Sequence, residues 1–265
     1  MNNWISEKTN LIPDFIIGGA MKCGTNTLHS ILNEHPKIFI PNGEVHFFDM
    51  DNILQHSDFN FHYKDTWTTQ SMEKKPKLVW KWYHEKFKGK EDFIKGEDST
   101  TYLASRVAAE RISIQKKDIK MVFLLRQPSL RAYSNYHHLL RTDRAIYSFE
   151  DTLRYNPFKV INRSLYKEQL EIYYKFIPKD RIKVVLFEDL IKATKTTIKE
   201  ICEFINVDYK EIPSDVFNMH SNKGLSPMNS SLHIKKNMLL RNFGNSHYND
   251  ELPFKSPIGK KSNSL

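Results

Sequence analysis

The sequence predicts an α/β protein whose central parallel sheet is covered by helices on both faces. Three observations support this fold class. The chain has 265 residues, which is enough for one large α/β domain with its own core. Short, almost continuously apolar runs bounded by polar turns are typical of buried parallel strands. Amphipathic helical patterns separate these runs, and strands that alternate with helices form a parallel sheet.

Each predicted element has a local signal. The strands are apolar runs, the first helix follows a glycine-rich turn, and the third helix follows Pro128. The predicted strands are Phe15–Ile17, Ile38–Ile40, Lys120–Leu125 and Ile182–Phe187. The predicted helices are Thr25–Asn33, Leu103–Gln115, Ser129–Arg141, one that starts at Arg163 and one that starts at Thr194. We predict one domain over residues 1–243 and an irregular tail over residues 244–265, which has no periodic apolar pattern.

Composition and charge limit the class of protein. Hydrophobic residues make up 40% and charged residues 27% of the chain, which is ordinary for a globular protein. No window approaches 18 uninterrupted apolar residues, so we predict no membrane span. The net charge of +9 favours an anionic partner, but charge alone does not choose among nucleotides, nucleic acids, acidic polysaccharides and membrane surfaces.

Cysteine usage predicts a reducing compartment. Cys23 and Cys202 are the only cysteines, and the sequence has neither a CxxC motif nor a His/Cys cluster. The N-terminus also lacks a signal-peptide core. We therefore expect a cytoplasmic protein without a metal site.

A glycine-rich turn joins the first predicted strand to the first helix, in the stretch DFIIGGAMKCGTNTLHSIL (residues 14–32). Such a turn offers unpaired N–H groups and the positive end of the helix dipole, which favour a bound anion. Thr25 is a candidate N-cap residue. In the G-x-x-x-x-G-K-[ST] pattern of nucleoside triphosphatases the lysine follows the second glycine, but here Lys22 precedes Gly24. A lysine at this position suits the neutralisation of a leaving phosphate on a nucleotide's 5′ group.

A second candidate anion site lies in LLRQPSLRAYSNY (residues 124–136). Arg126 ends a predicted buried strand, and Ser134 lies about two turns into the following helix. Arginine presents a bidentate fork to phosphate and serine adds a hydroxyl donor. Together with the glycine turn, these residues favour a phosphate-binding role over a purely structural one.

These stretches resemble the motifs of sulfotransferases that use 3′-phosphoadenosine 5′-phosphosulfate (PAPS). The glycine turn is similar to their 5′-phosphosulfate loop, and LLRQPSLRAYSNY is similar to their 3′-phosphate strand and helix. NGEVHFFD (residues 42–49), NRSLY (residues 162–166) and FEDL (residues 187–190) are similar to the heparan sulfate (glucosaminyl) 3-O- and N-sulfotransferase branch and its bacterial relatives. The resemblance covers roughly residues 13–224 and implies a P-loop-like α/β core.

The resemblance also implies the co-substrate and its binding residues. PAPS is the expected co-substrate, adenosine 3′,5′-bisphosphate the expected product, and no metal or nucleic acid is required. Lys22 is expected to contact the oxygen that bridges sulfate and phosphate, and Arg126 and Ser134 are expected to bind the 3′-phosphate. The remaining candidates for cofactor binding are Cys23, Gly24, Thr25, Asn26, Thr27, Lys223 and Gly224. Cys23 has two interpretations, a thiolate favoured by the anion loop or a small loop residue.

The general base has two candidates. The acceptor hydroxyl or amine must lose a proton as it attacks sulfur, so a base is needed nearby. Glu44 follows a predicted strand and a Pro-Asn-Gly turn, and the resembling branch uses the glutamate at this position. His46 is the competitor, because cytosolic small-molecule sulfotransferases use a histidine. In an extended segment Glu44 and His46 would share one face, so both stay open.

One departure, one ambiguous aromatic stretch and two alternative functions qualify the resemblance. Asp98 stands where the 3-O branch carries a lysine, which removes a cation expected near an anionic sugar. The aromatic stretch VWKWYHEKF (residues 79–87) suits either sugar stacking or the core. The alternative functions are a catalytically inactive nucleotide- or glycan-binding relative and a P-loop nucleotide kinase. The kinase is disfavoured because the G-K-[ST] sequence is missing. We expect a sulfotransferase with a carbohydrate acceptor.

Overall fold

The computed structural model describes residues 2–52, 54–56, 60–63, 66–69, 75–218 and 229–242. The strands in these residues are β1 (Phe15–Ile17), β2 (Ile38–Phe39), β3 (Asn60–Tyr63), β4 (Thr66–Thr69), β5 (Ile94–Asp98), β6 (Lys120–Leu125) and β7 (Ile182–Leu186). Five of them form one sheet in the order β2-β5-β1-β6-β7, and every neighbouring pair is parallel. Strands β3 and β4 form a separate antiparallel pair. The predicted α/β class with a central parallel sheet is confirmed.

Helices connect and cover the strands of the main sheet. The α-helices are α1 (Thr25–Asn33), α2 (Pro76–Glu85), α3 (Arg106–Ser113), α4 (Pro128–Arg141), α5 (Phe149–Tyr155), α6 (Tyr166–Phe176), α7 (Phe187–Lys192), α8 (Thr194–Ile205) and α9 (Ser230–Asn242). In the described part of the chain, no helix is both long and apolar enough to cross a lipid bilayer. The predicted tail, residues 244–265, lies outside the described residues.

Strand β5 is absent from the predicted strands because its sequence, IKGED, does not look like a buried run. Its polar side chains are nevertheless buried, and each has partners outside the strand. Lys95 donates to the carbonyl oxygens of Glu91 (3.2 Å) and Phe93 (2.9 Å). Glu97 accepts hydrogen bonds from Tyr83 and Tyr102. Buried charged groups require such partners. Because the partners lie outside the strand, the sequence of β5 alone does not indicate that its polar side chains are buried.

Several predicted boundaries differ from the observed ones, and local capping explains the start of α3. Ser105 accepts a hydrogen bond from the N–H group of Ala108 and starts α3 at Arg106, three residues after the predicted start at Leu103. The helix expected from Arg163 begins at Tyr166, and Phe187 begins α7 instead of ending β7. The N-cap of α1 is Gly24, without a side-chain cap. The prediction that Thr25 caps this helix is therefore wrong.

The aromatic stretch at residues 79–87 belongs mainly to the core. Trp80, Tyr83 and Phe87 are buried, and the rings of Tyr83 and Phe47 stack with centroids 3.9 Å apart. The interpretation of these three rings as a sugar-stacking surface is wrong. Trp82 is partly exposed and packs against this core.

The carboxyl ends of the parallel strands bring the candidate residues to one edge of the sheet. The glycine turn follows β1, Glu44 follows β2, Ser99 follows β5, and Arg126 follows β6. Because β2, β5, β1 and β6 are successive neighbours, the four segments leave the sheet side by side. Ligands of α/β folds bind beyond this edge.

Candidate active site

The anion loop (residues 18–27) joins β1 to α1. Its start is fixed to the sheet, because the N–H group of Gly18 donates to the carbonyl oxygen of Val122 (3.0 Å). Gly24 has a φ of 87°, a left-handed conformation that favours glycine. A Cβ atom on Gly24 would lie 2.7 Å from Cδ2 of Phe187. The loop therefore needs glycine at this position, and it leads into a helix start that no side chain caps, as an anion site requires.

The predicted loop residues line the start of α1 at different depths. Thr25 is buried, Asn26 is exposed and Thr27 is half-buried. Cys23 is fully buried, and burial raises the pKa of its thiol to about 11, against a lowering contribution from the Tyr166 hydroxyl. That hydroxyl lies 3.8 Å from Sγ. The thiol is neutral at pH 7, so the thiolate interpretation is wrong and Cys23 acts as a small, buried loop residue.

Lys22 lies in a strongly cationic environment. It adopts a left-handed conformation with a φ of 70°. Burial lowers the pKa of Lys22, and the positive charges of Arg141, Arg126 and Arg144 lower it further, whereas the charge of Glu44 raises it. Like charges that are held together in this way stabilise an anion placed among them.

Arg126 connects the anion loop to the second predicted phosphate site. Its Nη1 lies 3.5 Å from the carbonyl oxygen of Lys22, and its guanidinium group lies over the ring of Phe187, 4.7 Å from the centroid. The Nε atom of Arg126 is buried and has no hydrogen-bond partner among the described residues. Ser134 lies half-buried on α4, which begins two residues after Arg126. The β6–α4 unit thus places Arg126 beside the anion loop, with Ser134 further along α4.

The base loop (residues 44–48) lies on the other side of the site. Nε2 of His46 is 2.8 Å from Oε2 of Glu44. The same Oε2 accepts hydrogen bonds from the Thr100 hydroxyl (2.6 Å) and the Thr100 N–H group (3.4 Å). His46 has a φ of 52°, so the segment is not extended. The prediction that an extended segment brings Glu44 and His46 to one face is wrong, although the two side chains are in contact.

The Glu44–His46 contact shifts the pKa values of both groups in opposite directions. Desolvation raises the pKa of Glu44, but the hydrogen bond and charge of His46 and the bonds from Thr100 outweigh it and hold the pKa well below its ordinary value. Desolvation lowers the pKa of His46, but the bond and charge of Glu44 outweigh it and raise the pKa. Both shifts favour the ionised form of each group, and 32% of the Glu44 side chain stays exposed.

Asp98 does not project into the cleft. It is 2% exposed, and its Oδ2 lies 3.4 Å from Nδ1 of His29 on α1. Burial raises the pKa of Asp98 to about 6, with a further increase from the charge of Glu44. The residue at the family's lysine position is therefore an internal partner of α1 and not an exposed contact for an acceptor.

The sequence predictions missed several residues around the base loop. Nδ1 of His46 lies 2.9 Å from Oγ1 of Thr101, and Nε2 of His56 lies 2.8 Å from Oδ1 of Asp49. Ligand atoms of His46, Asp49 and His56 lie within 4.8 Å of one another, a spacing that a cation would fit. These atoms already bond to one another or to Glu44 and Thr101, and we assign no metal to them. Asp49 falls inside the quoted NGEVHFFD motif, which is the signal that would have identified it.

A cluster of one histidine and two arginines on and beyond α4 was also missed. His138 and Arg141 lie four and seven residues after Ser134, so all three share one helix face. Nη2 of Arg144 lies 2.8 Å from Nε2 of His138. Burial lowers the pKa of His138 to about 4, and the charges of Lys22 and Arg144 contribute. The helical spacing from Ser134 was the available signal. The predicted residues Lys223 and Gly224 lie outside the described residues.

Comparisons with known proteins identify the family of the chain. The chain matches the sulfotransferase domain family over residues 12–251. It is 27% identical over 208 residues to heparan sulfate glucosamine 3-O-sulfotransferase 5 of Mus musculus, and the match covers 74% of this chain and 54% of the relative. The chain spans about half the length of the curated relatives it matches.

Solved structures show the same architecture. A sulfotransferase from Alicyclobacillus acidocaldarius is 26% identical with a TM-score of 0.62, over 80% of this chain and 87% of that chain. The sulfotransferase domain from the curacin biosynthetic pathway is 15% identical with a TM-score of 0.55, over 84% of this chain and 83% of that chain. These likenesses support the predicted P-loop-like core. Since the family match extends over most of the sequence, the chain belongs to the sulfotransferase family.

Proposed function

We propose that this chain is a PAPS-dependent sulfotransferase, which transfers a sulfuryl group to a hydroxyl or an amine of a carbohydrate acceptor. The observation that carries the proposal is the meeting of an anion loop and a carboxylate–histidine pair at one edge of the sheet. The charge of Glu44 contributes to the pKa of Lys22, so the two groups lie within electrostatic reach of each other. Direct transfer needs both a stabilised leaving group and a nearby base.

The anion-binding half fits a nucleotide that carries two anionic groups. Gly24 holds the left-handed turn at the start of α1, where a Cβ atom would clash with Phe187, and Lys22 lies among like charges. The unpartnered Nε of Arg126 is a buried donor, and such donors are rare unless a ligand uses them. Bound PAPS would supply an activated sulfuryl group and a 5′-phosphate as the leaving group.

Each protein group has a distinct task in this proposal. Residues 23–27 bind the 5′-phosphate through the start of α1, and Lys22 stabilises the negative charge that develops as the bond to sulfur breaks. Arg126 and Ser134 bind the 3′-phosphate by charge-assisted and hydroxyl hydrogen bonds. Lys223 and Gly224 remain candidates for the same nucleotide.

Glu44 is the better candidate for the base. All of its described hydrogen bonds reach Oε2, which leaves Oε1 on a partly exposed side chain to accept the acceptor's proton. Both ring nitrogens of His46 already have partners, in Glu44 and Thr101. We therefore assign His46 the task of orienting Glu44 and fixing its charge.

The carbohydrate acceptor rests on the names of the relatives. Matched proteins are heparan sulfate glucosamine 3-O-sulfotransferases, and a glycan hydroxyl or amine is the acceptor that this likeness favours. Asp98 neither supplies the lysine of that branch nor reaches the cleft, so heparan sulfate itself is not specifically supported.

Incubation of the protein with ³⁵S-labelled PAPS and a panel of glycans, lipids and phenols tests the proposal. We expect label to pass to a glycan. Transfer to none of the acceptors, together with tight binding of adenosine 3′,5′-bisphosphate, would favour an inactive nucleotide-binding relative. Calorimetric preference for ATP–magnesium over the bisphosphate would favour a nucleotide kinase.

A cytoplasmic location is part of the proposal. It is supported by the two cysteines, Cys23 and Cys202, which are both buried free thiols. Fractionation of the source cells, followed by immunodetection of the native protein, tests it, and recovery outside the cytoplasm would contradict it.

A further inference from the structure

The segment that follows β5 holds the base loop residue by residue. The N–H group of Val45 donates to the carbonyl oxygen of Asp98 (3.0 Å). Besides the N–H group of Thr100, which donates to Glu44, the remaining contacts come from side-chain hydroxyl groups, and each of the next four residues supplies one. They are Ser99 to the N–H group of His46, Thr100 to Glu44, Thr101 to the ring of His46, and Tyr102 to the N–H group of Phe48.

Two of these hydroxyl groups are themselves held by a single buried carboxyl group. The Ser99 hydroxyl donates to Oε1 of Glu97 (2.7 Å) and accepts from the N–H group of His46 (2.8 Å). The Tyr102 hydroxyl donates to the same Oε1 (2.6 Å) and accepts from the N–H group of Phe48 (2.8 Å). Two hydrogen-bond relays therefore start at one oxygen atom of Glu97. One passes through Ser99 to the N–H group of His46, and the other passes through Tyr102 to the N–H group of Phe48.

A hydroxyl group has only one proton, and this fixes the direction of each relay. Because Ser99 and Tyr102 each use their one proton to donate a hydrogen bond to Glu97, both hydroxyl oxygens must present lone pairs to the N–H groups. Glu97, Ser99 and Tyr102 are fully buried, so water cannot readily replace a missing partner. Burial raises the pKa of Glu97, although the three hydroxyl bonds oppose it. Oε1 can accept both bonds in either protonation state, since a proton can reside on Oε2.

The backbone that the relays hold is one that would not persist unaided. His46 has a φ of 52°, and a non-glycine residue keeps such a conformation only where its surroundings determine it. From this conformation its ring reaches both Glu44 and Thr101.

We propose that Glu97 is a positioning residue for sulfuryl transfer: through Ser99 and Tyr102 it fixes the N–H groups of His46 and Phe48, and so holds the Glu44–His46 pair in place. The inference rests on the proposed function, because it assigns the pair to the reaction. It goes beyond that function in placing control of the base in a buried group that contacts no substrate.

The fold provides a matched control. The Tyr83 hydroxyl on α2 donates to Oε2 of Glu97, so Tyr83→Phe removes a bond to the same carboxyl group without touching a relay. Ser99→Ala and Tyr102→Phe each remove one relay. Glu97→Gln keeps an oxygen atom that accepts from both relays, and its amide N–H group can donate a hydrogen bond to the Tyr83 hydroxyl oxygen.

The four variants are compared by NMR amide exchange of ¹⁵N-labelled protein and by sulfuryl transfer from PAPS. We expect the His46 amide in Ser99→Ala, and the Phe48 amide in Tyr102→Phe, to exchange about 10-fold faster because a buried donor loses its acceptor. We expect kcat to fall about 10- to 100-fold in both variants, with the KM for PAPS within about 2-fold, because the anion loop is untouched. Tyr83→Phe and Glu97→Gln should keep both amides protected and most of kcat.

The outcomes separate this inference from the proposed function. Unchanged His46 exchange in Ser99→Ala would overturn the relay, whatever the base is. An equal loss of kcat in Tyr83→Phe would reduce Glu97 to a general support of the core and overturn its positioning task. Full turnover in both Glu44→Gln and His46→Ala would overturn the proposed base, and with it the catalytic purpose of the relays. If Ser99→Ala fails to fold, exchange of the Phe48 amide in Tyr102→Phe tests the relay instead, since this variant keeps the aromatic ring.

Discussion

The anion loop and the base loop form the two halves of the candidate site, but different interactions hold them. The anion loop is part of a continuous strand–loop–helix unit, and backbone hydrogen bonds and glycine conformations fix it. The base loop follows a two-residue strand and is held mainly by hydroxyl groups that lie more than fifty residues further along the chain.

The difference shows how much of each half is encoded locally. A change within the anion loop should act through the backbone and through charge on the nucleotide. A change in the base loop should act on proton transfer, and the same defect should arise from the distant residues that hold it. Substitutions can test whether the two halves are independent.

The largest effect is expected at the base. Glu44→Gln keeps the size of the side chain but cannot accept a proton, so turnover should fall by about 10²–10⁴-fold. Binding of adenosine 3′,5′-bisphosphate should hardly change, because Glu44 belongs to the other half. Transfer of labelled sulfate and calorimetric titration measure the two quantities. His46→Ala is the comparison, and a larger loss in His46→Ala than in Glu44→Gln would reverse the assignment.

The next effect is expected in the anion loop. Lys22→Ala should lower turnover by about 10²–10³-fold, since the positive charge acts mainly on the transition state. Bisphosphate binding should weaken less, because Arg126 and the start of α1 remain. Single-turnover kinetics with saturating PAPS separate chemistry from binding. A variant that turns over normally but binds PAPS poorly would make Lys22 a ground-state contact.

A smaller effect is expected for the 3′-phosphate. Arg126→Ala should weaken binding of the bisphosphate by about 10- to 100-fold, as expected for the loss of a charge-assisted hydrogen bond of roughly 1.5–3 kcal/mol. Binding of AMP, which lacks the 3′-phosphate, should change little. Calorimetry with both ligands gives the comparison, and an equal loss for the two would place Arg126 elsewhere on the nucleotide.

The sequence was sufficient to predict the anion loop and most of the sheet. Strand β6, the glycines of the loop and helix α1 all carry signals within a few residues of where they act. The predicted bounds of β1, β6 and α1 agree with the observed ones. These elements are determined by apolar runs and backbone conformation, which local sequence reports directly.

The base loop could be predicted only in part, because its shape depends on contacts between distant segments. The motif indicated Glu44 and His46, but the left-handed φ of His46 follows from the relays through Ser99 and Tyr102. Strand β5 escaped prediction for a related reason, since the partners of Lys95 and Glu97 lie outside the strand, either in the adjoining loop or on α2. Polar residues buried by specific pairing resemble exposed residues in sequence.

The smallest effect concerns stability and pH. The folded protein lowers the pKa of Glu44 from its ordinary 4.5, so this group stabilises the fold above pH 4.5 and loses that contribution as the pH falls through the lowered value. The fold raises the pKa of His46 from its ordinary 6.5. This group therefore stabilises the fold below pH 6.5 and loses its contribution as the pH rises through the raised value. Both contributions are complete between pH 4.5 and 6.5.

We therefore expect the difference in free energy of unfolding between the wild type and Glu44→Gln to be largest in that pH window and to shrink on both sides. It should stay below about 1 kcal/mol, because water screens a pair whose carboxylate is 32% exposed. Urea unfolding from pH 3 to about pH 9 measures it, a range that brackets the ordinary pKa values of both groups. Glu85→Gln makes the same chemical change at a surface carboxylate of α2 and serves as control. A difference that stays flat through the window would mean that the pair does not form in solution, and the base loop would then lack the charge that its half of the site is proposed to use.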